Sequence, residues 1–142
     1  MARKKPEEVG RLQSCMAFLR QALGLSQEQF AEKIFVSRGL LADYERQASP
    51  LSLNNYNVIR KYLDEEMRAD PEGTVIIRDI LRMIVDEPVP EKVRKRVMNG
   101  ALRICGGIFF NRHRPKEEYM PAALETWDHM TDPFVGYFFI DD

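Results

Sequence analysis

The sequence predicts an all-α protein: four short helices in the first sixty residues, followed by a smaller helical domain. Three observations predict it. Apolar residues recur at three- and four-residue spacing through most of the chain. Helix-capping residues stand just ahead of those runs. In the first half, no stretch alternates apolar with polar residues as a half-buried strand would.

From Val9 to Leu23, the residues Leu12, Met16, Leu19 and Leu23 share one helical face, and Gly24 supplies a stop. Ser26 is placed to cap a second helix, with Gln29 three residues on completing a capping box. That helix puts Phe30, Ala31 and Ile34 on one face. Ser37 caps a third helix, with Leu41 and Tyr44 inward. Gln47-Ala48-Ser49-Pro50 is a loop, and Ser52 starts a fourth helix with Leu53, Tyr56, Ile59 and Leu63 inward. The acidic stretch 64–72 is the candidate boundary, giving domains at 9–68 and 69–142. Beyond it, Val75–Val85 reads as a helix rich in isoleucine. Pro90 opens another that runs to about Phe110, with Gly100 and Gly106-Gly107 as points where it can bend or stop. A last helix is expected from Lys116 to about Met130, ended by Asp132-Pro133. The run Phe134–Ile140 fits a short helix or a strand equally well.

Composition bounds the function classes. The 142-residue chain is 44% hydrophobic and 30% charged, the balance of an ordinary globular protein. Its net charge of −1 gives no global attraction to nucleic acid. The charge is instead blocked. Residues 1–63 hold ten basic against six acidic side chains, and residues 64–91 hold three against nine. Residues 92–116 hold eight against none, and residues 117–142 hold none against seven. Such asymmetry points to specialised segments, or to one block packing on another. Two cysteines, Cys15 and Cys105, make no disulfide framework, and no leader or membrane-length apolar run is visible, so a cytoplasmic location is expected.

The sharpest signal is the spacing between the second and third helices. Two short helices cross steeply only where the contact residue is small, and Ala31 is placed for that. Val36 follows the turn, and Leu41 and Tyr44 close the core on Phe30 and Ile34. The third helix is thereby fixed with its N-terminal end exposed, able to enter a major groove. The text Leu25-Ser26-Gln27-Glu28-Gln29-Phe30-Ala31-Glu32-Lys33, then Val36-Ser37-Arg38, then Tyr44-Glu45-Arg46 resembles the Cro/lambda-repressor-type (Xre) helix-turn-helix family. The resemblance runs from about Leu19 to Leu63 and includes the fourth helix. It implies a lambda-repressor-like DNA-binding domain in which Gln27 bonds a phosphate and Ser37 caps the recognition helix and reaches a phosphate. Arg38, Gly39 and Asp43 face base edges, with Leu40 and Ala42 beside them, and Glu45 and Arg46 tie the helix to the following loop. Arg38 is chemically the best reader, because its planar fork can bond guanine O6 and N7 together.

The chain departs from the family in two turns, and its recognition face is unusual. Phe35 stands where the family has glycine in the turn, and Gln47 stands where it has glycine after the Glu-Arg pair. A bulky residue in a left-handed turn costs on the order of 1 kcal/mol. On the recognition face Gly39 reads nothing, Leu40 is apolar and Asp43 repels phosphates, a face poor in donors. Asp43 is nonetheless able to accept from cytosine N4, and Leu40 to meet a thymine methyl.

Further basic residues are candidate contacts to the DNA backbone. Arg3, Lys4 and Lys5 form an N-terminal arm. On a helical projection, Lys92, Arg96, Asn99 and Arg103 fall within roughly 60° of one another, opposite Val93, Val97, Ala101, Ile104 and Ile108. This basic face continues into Arg112-His113-Arg114-Pro115-Lys116. Three readings stay open for it: contact with the DNA backbone, docking of the acidic 117–142 segment, or a solvated face.

No enzyme is indicated. His113, His129 and Cys105 have no ligand-like spacing, so no metal is expected. Glu117, Glu118, Glu125 and Asp128 sit where carboxylates ordinarily aid solubility. Gly106-Gly107 lacks the Lys-Ser/Thr of a phosphate loop, and no cofactor is expected. Trp127, Met130, Phe134, Tyr137, Phe138 and Phe139 suit a core or a partner surface. Double-stranded DNA is the expected ligand. The family's habit of binding two half-sites implies a homodimer, built by the C-terminal half and acting as a repressor. The alternative is a protein-interaction module, antitoxin-like or a phage-encoded adaptor, that holds a protein partner through the C-terminal half.

Overall fold

The computed structural model describes residues 6–132. The basic arm Arg3-Lys4-Lys5 and the Phe134–Ile140 run lie outside the described residues. The described residues form eight α-helices and one π-helical segment, with no strand among them, in agreement with the all-α expectation. The helices are α1 (Pro6–Ser14), α2 (Met16–Ala22), α3 (Gln27–Lys33), α4 (Arg38–Glu45) and α5 (Leu53–Ala69). They continue with α6 (Val75–Ile80), the π segment (Leu81–Asp86), α7 (Glu91–Phe110) and α8 (Lys116–Thr131). No helix among the described residues is long and apolar enough to cross a membrane.

Where serine was expected to cap, it does. Ser26 Oγ accepts from Gln29 N at 3.1 Å while Gln29 Oε1 accepts from Ser26 N at 2.9 Å, the reciprocal box that satisfies two otherwise orphaned donors. Ser37 Oγ accepts from Leu40 N at 3.0 Å, and Ser52 Oγ from Asn55 N at 3.1 Å.

Two boundaries differ from the sequence reading. The first helix is two, broken at Cys15 (φ −116°, ψ 11°), whose thiol donates to Leu12 O at 3.4 Å. The fourth helix runs on past Leu63, so residues 64–69 form the last turns of α5, with Asp64 and Glu65 outward while Leu63 and Met67 face the core. The helix opened by Pro90 runs to Phe110 as expected, and neither Gly100 nor Gly106-Gly107 ends it early. At Gly100 the glycine serves close approach instead: an added Cβ would fall 1.6 Å from Met130 Sδ of α8.

One continuous hydrophobic cluster runs through both halves of the chain. It joins Leu12, Leu19, Phe30, Leu41, Tyr56 and Ile59 to Ile77, Ile84, Val97, Cys105 and Trp127. α2 lies along α7, and α1 rests on the π segment. The wider π turn lets Met83, Ile84 and Val85 all be buried in succession. Polar ties cross the same seam. Arg11 Nε donates to Val85 O at 3.0 Å and Arg60 holds Asp86 through two bonds at 2.5 and 3.1 Å, while within the first half Tyr56 OH donates to Glu8 Oε2 at 3.2 Å. Farther on, Trp127 Nε1 donates to Asp79 Oδ2 at 2.9 Å, pinning α8 to α6. Cys15 and Cys105 are buried free thiols, and burial pushes the pKa of each up to about 12.

Candidate DNA-binding surface

α3 and α4 are the two helices of the expected motif. Phe30, Ala31, Ile34, Leu41 and Tyr44 are all buried between them and their neighbours, and Ala31 stands at the crossing. The turn is drawn tight by Val36 N donating to Ala31 O at 3.0 Å. Phe35 adopts φ 61° with its ring 86% exposed, and Gln47 adopts φ 59°. Both positions where glycine was missing are therefore left-handed, as the departures implied. The backbone geometry is retained and the side chains bear its cost of about 1 kcal/mol each.

Behind α4, a buried polar network fixes its orientation. Arg20 meets Glu45 through Nε–Oε2 at 2.7 Å and Nη2–Oε1 at 3.1 Å, and its Nη1 donates to Leu25 O at 2.9 Å. Gln27 Nε2 donates to the same Glu45 Oε1 at 3.1 Å. The ion pair is almost wholly withdrawn from solvent, where a two-pronged geometry is what offsets desolvation. The expected tie from Glu45 to the following loop is thus corrected: Glu45 reaches back to α2 and to the start of α3. The loop after α4 is held by Gln13 instead, whose Nε2 donates to Tyr44 O at 3.1 Å and Ser49 O at 2.7 Å. Its Oε1 accepts from Leu51 N at 3.0 Å.

Sequence reasoning missed Arg20 and Gln13. A signal for Arg20 was present, since it falls on the apolar arc of its helix with Met16, Leu19 and Leu23. A cation there needs a buried partner. Gln13 carried no such mark.

On the outward side, Arg38 is the first residue of α4, exposed and without a partner among the described residues. Gly39 opens onto empty space, with nothing within 4 Å of where its Cβ would lie. Leu40 is half-buried. Asp43 is paired with Arg46 one turn on, both at the surface, so Arg46 too is engaged on its own helix and not with the loop. Ser37 is committed to the cap, and Gln27 is oriented by Glu45.

The basic face of α7 is solvent-exposed at Lys92, Arg96 and Arg103, none of which has a carboxylate partner among the described residues. Arg103 borders a groove between α7 and α8, with Ile104, Gly107, Tyr119 and Ala122. Among the described residues, one ion pair joins the 92–116 block to the acidic segment after it, Arg114–Glu118 at 3.5 Å across one helical turn. No group of three or more His, Cys, Asp or Glu side chains among the described residues is placed to hold a metal ion.

The family comparison agrees with this geometry. A helix-turn-helix family model matches residues 16–68, somewhat over a third of the chain. Neither a curated protein nor a solved structure matches it. The matched span begins at the first residue of α2 and ends within the last turn of α5, enclosing the crossing at Ala31, the capped α4 and the Arg20–Glu45 pair. Residues 16–68 are a helix-turn-helix domain of the Cro-type, Xre-like kind, the DNA-binding part of transcription regulators of that type.

Proposed function

We propose that this protein is a non-enzymatic, homodimeric repressor of the cytoplasm that reads specific duplex DNA with α4. The observation that carries the reading is the start of that helix. Ser37 caps it, Arg38 projects unpaired from its first turn, and Gly39 beside it leaves room for a base edge or sugar to approach the backbone. Arg38 reads guanine with its bidentate fork. Leu40 meets a thymine methyl, and Asp43, steadied by Arg46, accepts from a cytosine amino group. Gln27 and Ser37 bond flanking phosphates, and the arm Arg3-Lys4-Lys5 adds contacts to the backbone. Lys92, Arg96 and Arg103 are a weaker candidate for such contacts. Two copies place two α4 helices in successive major grooves, about 34 Å apart, with residues 69–142 supplying the dimer contact.

Selection of bound duplexes from a random pool tests the proposal. A single recovered site with two related halves is expected. An unenriched pool, or a site whose recovery survives Arg38→Ala unchanged, overturns it. Light scattering over a range of concentrations tests the dimer, and a strict monomer overturns that part. A second reading, a module that holds a protein partner through its C-terminal half, is favoured by Leu102 and Phe110. These stand 58% and 75% exposed on α7.

A further inference from the structure

We infer that the turn between α7 and α8, led by Arg112, is a second clamp on the DNA backbone, set beside the corner where α2 passes into α3. This rests on the reading of residues 16–68 as a DNA reader and extends it beyond the matched domain.

The first observation is placement. A Cβ added at Gly24, in the α2–α3 corner, would lie 3.5 Å from Arg112 Cβ. The turn following α7 therefore rests directly on the helix-turn-helix domain, at the corner that leads into α3.

The second observation is how Arg112 is held. Its guanidinium lies over the Phe109 ring at 3.8 Å from the centroid, and Nη1 donates to Phe109 O at 2.9 Å. The Arg20 guanidinium stands 5.4 Å from the centroid of the same ring. A chain of direct contacts thus runs from Gln27 through Glu45, Arg20 and Phe109 to Arg112. Arg20 is neutralised by Glu45, but Arg112 has no carboxylate partner among the described residues. An aromatic ring and one carbonyl fix the group while leaving most of its N–H donors open.

Its neighbours add charge of the same sign. Arg114 and Lys116 are exposed, and their partners, Glu118 at 3.5 Å and Asp70 at 3.9 Å, are long, solvent-exposed contacts. Such pairs are weak enough to be exchanged for phosphates. A preorganised, always-charged fork with free donors suits a phosphate better than a mobile lysine does. The ordinary explanation for a cation just past a helix end is the helix dipole, which accounts for the charge but not for its seat against the α2–α3 corner. The partner is the sugar–phosphate backbone, so this contact adds affinity without sequence preference.

The test uses the full chain and a labelled mixed-sequence duplex of about 30 base pairs, long enough for two half-sites. Binding is measured from about 50 to 200 mM salt. For Arg112→Gln, the slope of log affinity against log salt is expected to fall by about 0.9 per arginine, with a several-fold loss of affinity. Arg112→Lys should keep most of the slope, and Lys95→Gln, in the first turns of α7 and far from that turn in sequence, should leave it unchanged. If wild-type protein binds and Arg38→Ala weakens it while Arg112→Gln leaves slope and affinity intact, the clamp is wrong and the recognition helix stands. An equal fall in Lys95→Gln would reduce the effect to a diffuse field and overturn the clamp. A slope lost as fully in Arg112→Lys would tie the effect to stacking and overturn the clamp as well. Absence of duplex binding by the wild-type protein overturns both this inference and the reading it rests on.

Discussion

The two sides of α4 are built on opposite principles. The inner side carries Leu41, Tyr44 and the buried carboxylate of Glu45, which pairs with Arg20 of α2 and accepts from Gln27 at the start of α3. The outer side carries Arg38, Gly39, half-buried Leu40 and a surface pair, Asp43–Arg46, that closes on itself. The helix is therefore held firmly and equipped sparsely. Positioning is shared among many residues, so it tolerates drift on the outer face, whereas in the proposed reading readout falls on one strong donor, Arg38. This contrast also explains the two left-handed positions. Phe35 and Gln47 strain the ends of α4, yet Val36, Leu41, Tyr44 and Glu45 specify its place strongly enough to keep the turns.

The comparison breaks most visibly if the inner side is cut. Glu45→Ala leaves the Arg20 guanidinium buried without its carboxylate, and Gln27 and Arg20 lose a shared acceptor. Removing one member of such a pair costs about 3–5 kcal/mol. A large drop in the chemical-denaturation midpoint is expected, and the double variant Arg20→Met with Glu45→Leu should be less damaged than either single charge deletion. Additive losses would show that the pair acts as two independent side chains.

How legible this was in the sequence differs between the two sides. The caps Ser26, Ser37 and Ser52 and the crossing residue Ala31 are local chemistry, and each stands where spacing placed it. Phe35 and Gln47 were legible as exceptions, because a resemblance that demands glycine at a left-handed turn predicts the backbone even when the residue is wrong. The Arg20–Glu45 pair spans 25 positions and Gln13 reaches Ser49 across 36, so no local pattern could reveal their partners. The same holds for the seam between α2 and α7. Blocks of charge suggested that one segment docks on another. Yet α2 and α7 pack together through buried apolar residues with no ion pair between them among the described residues, which net charge cannot forecast.

The outer side is tested next by Arg38→Ala. Losing a bidentate guanine contact should cost about 1–3 kcal/mol in affinity for the selected site and relax specificity at one position. Because Arg38 is exposed and unpaired, thermal stability should not move. A change in melting temperature comparable with that of Glu45→Ala would mean the two sides are not separable. Smaller again is the strain between them. Phe35→Gly should stabilise the fold by up to about 1 kcal/mol, since the left-handed backbone no longer carries a Cβ. The gain is reduced by the extra freedom that glycine gives the unfolded chain. No gain in denaturation midpoint would mean that the exposed ring makes up for its strain elsewhere.

The weakest link is the surface pair, and it separates two meanings of a sparse face. Asp43 lies where a base edge is expected, and Arg46 neutralises it from one turn away. An exposed pair of this kind contributes about 0–1 kcal/mol to stability, so Asp43→Asn should leave the fold almost unchanged. If the carboxylate chiefly repels phosphates, its removal frees Arg46 and raises affinity for every duplex alike. If it accepts from a cytosine amino group, affinity for the selected site falls while affinity for mixed-sequence DNA rises. Measured side by side on the two duplexes, a crossing of the effects assigns Asp43 to readout, because a purely electrostatic residue cannot move the two affinities in opposite directions.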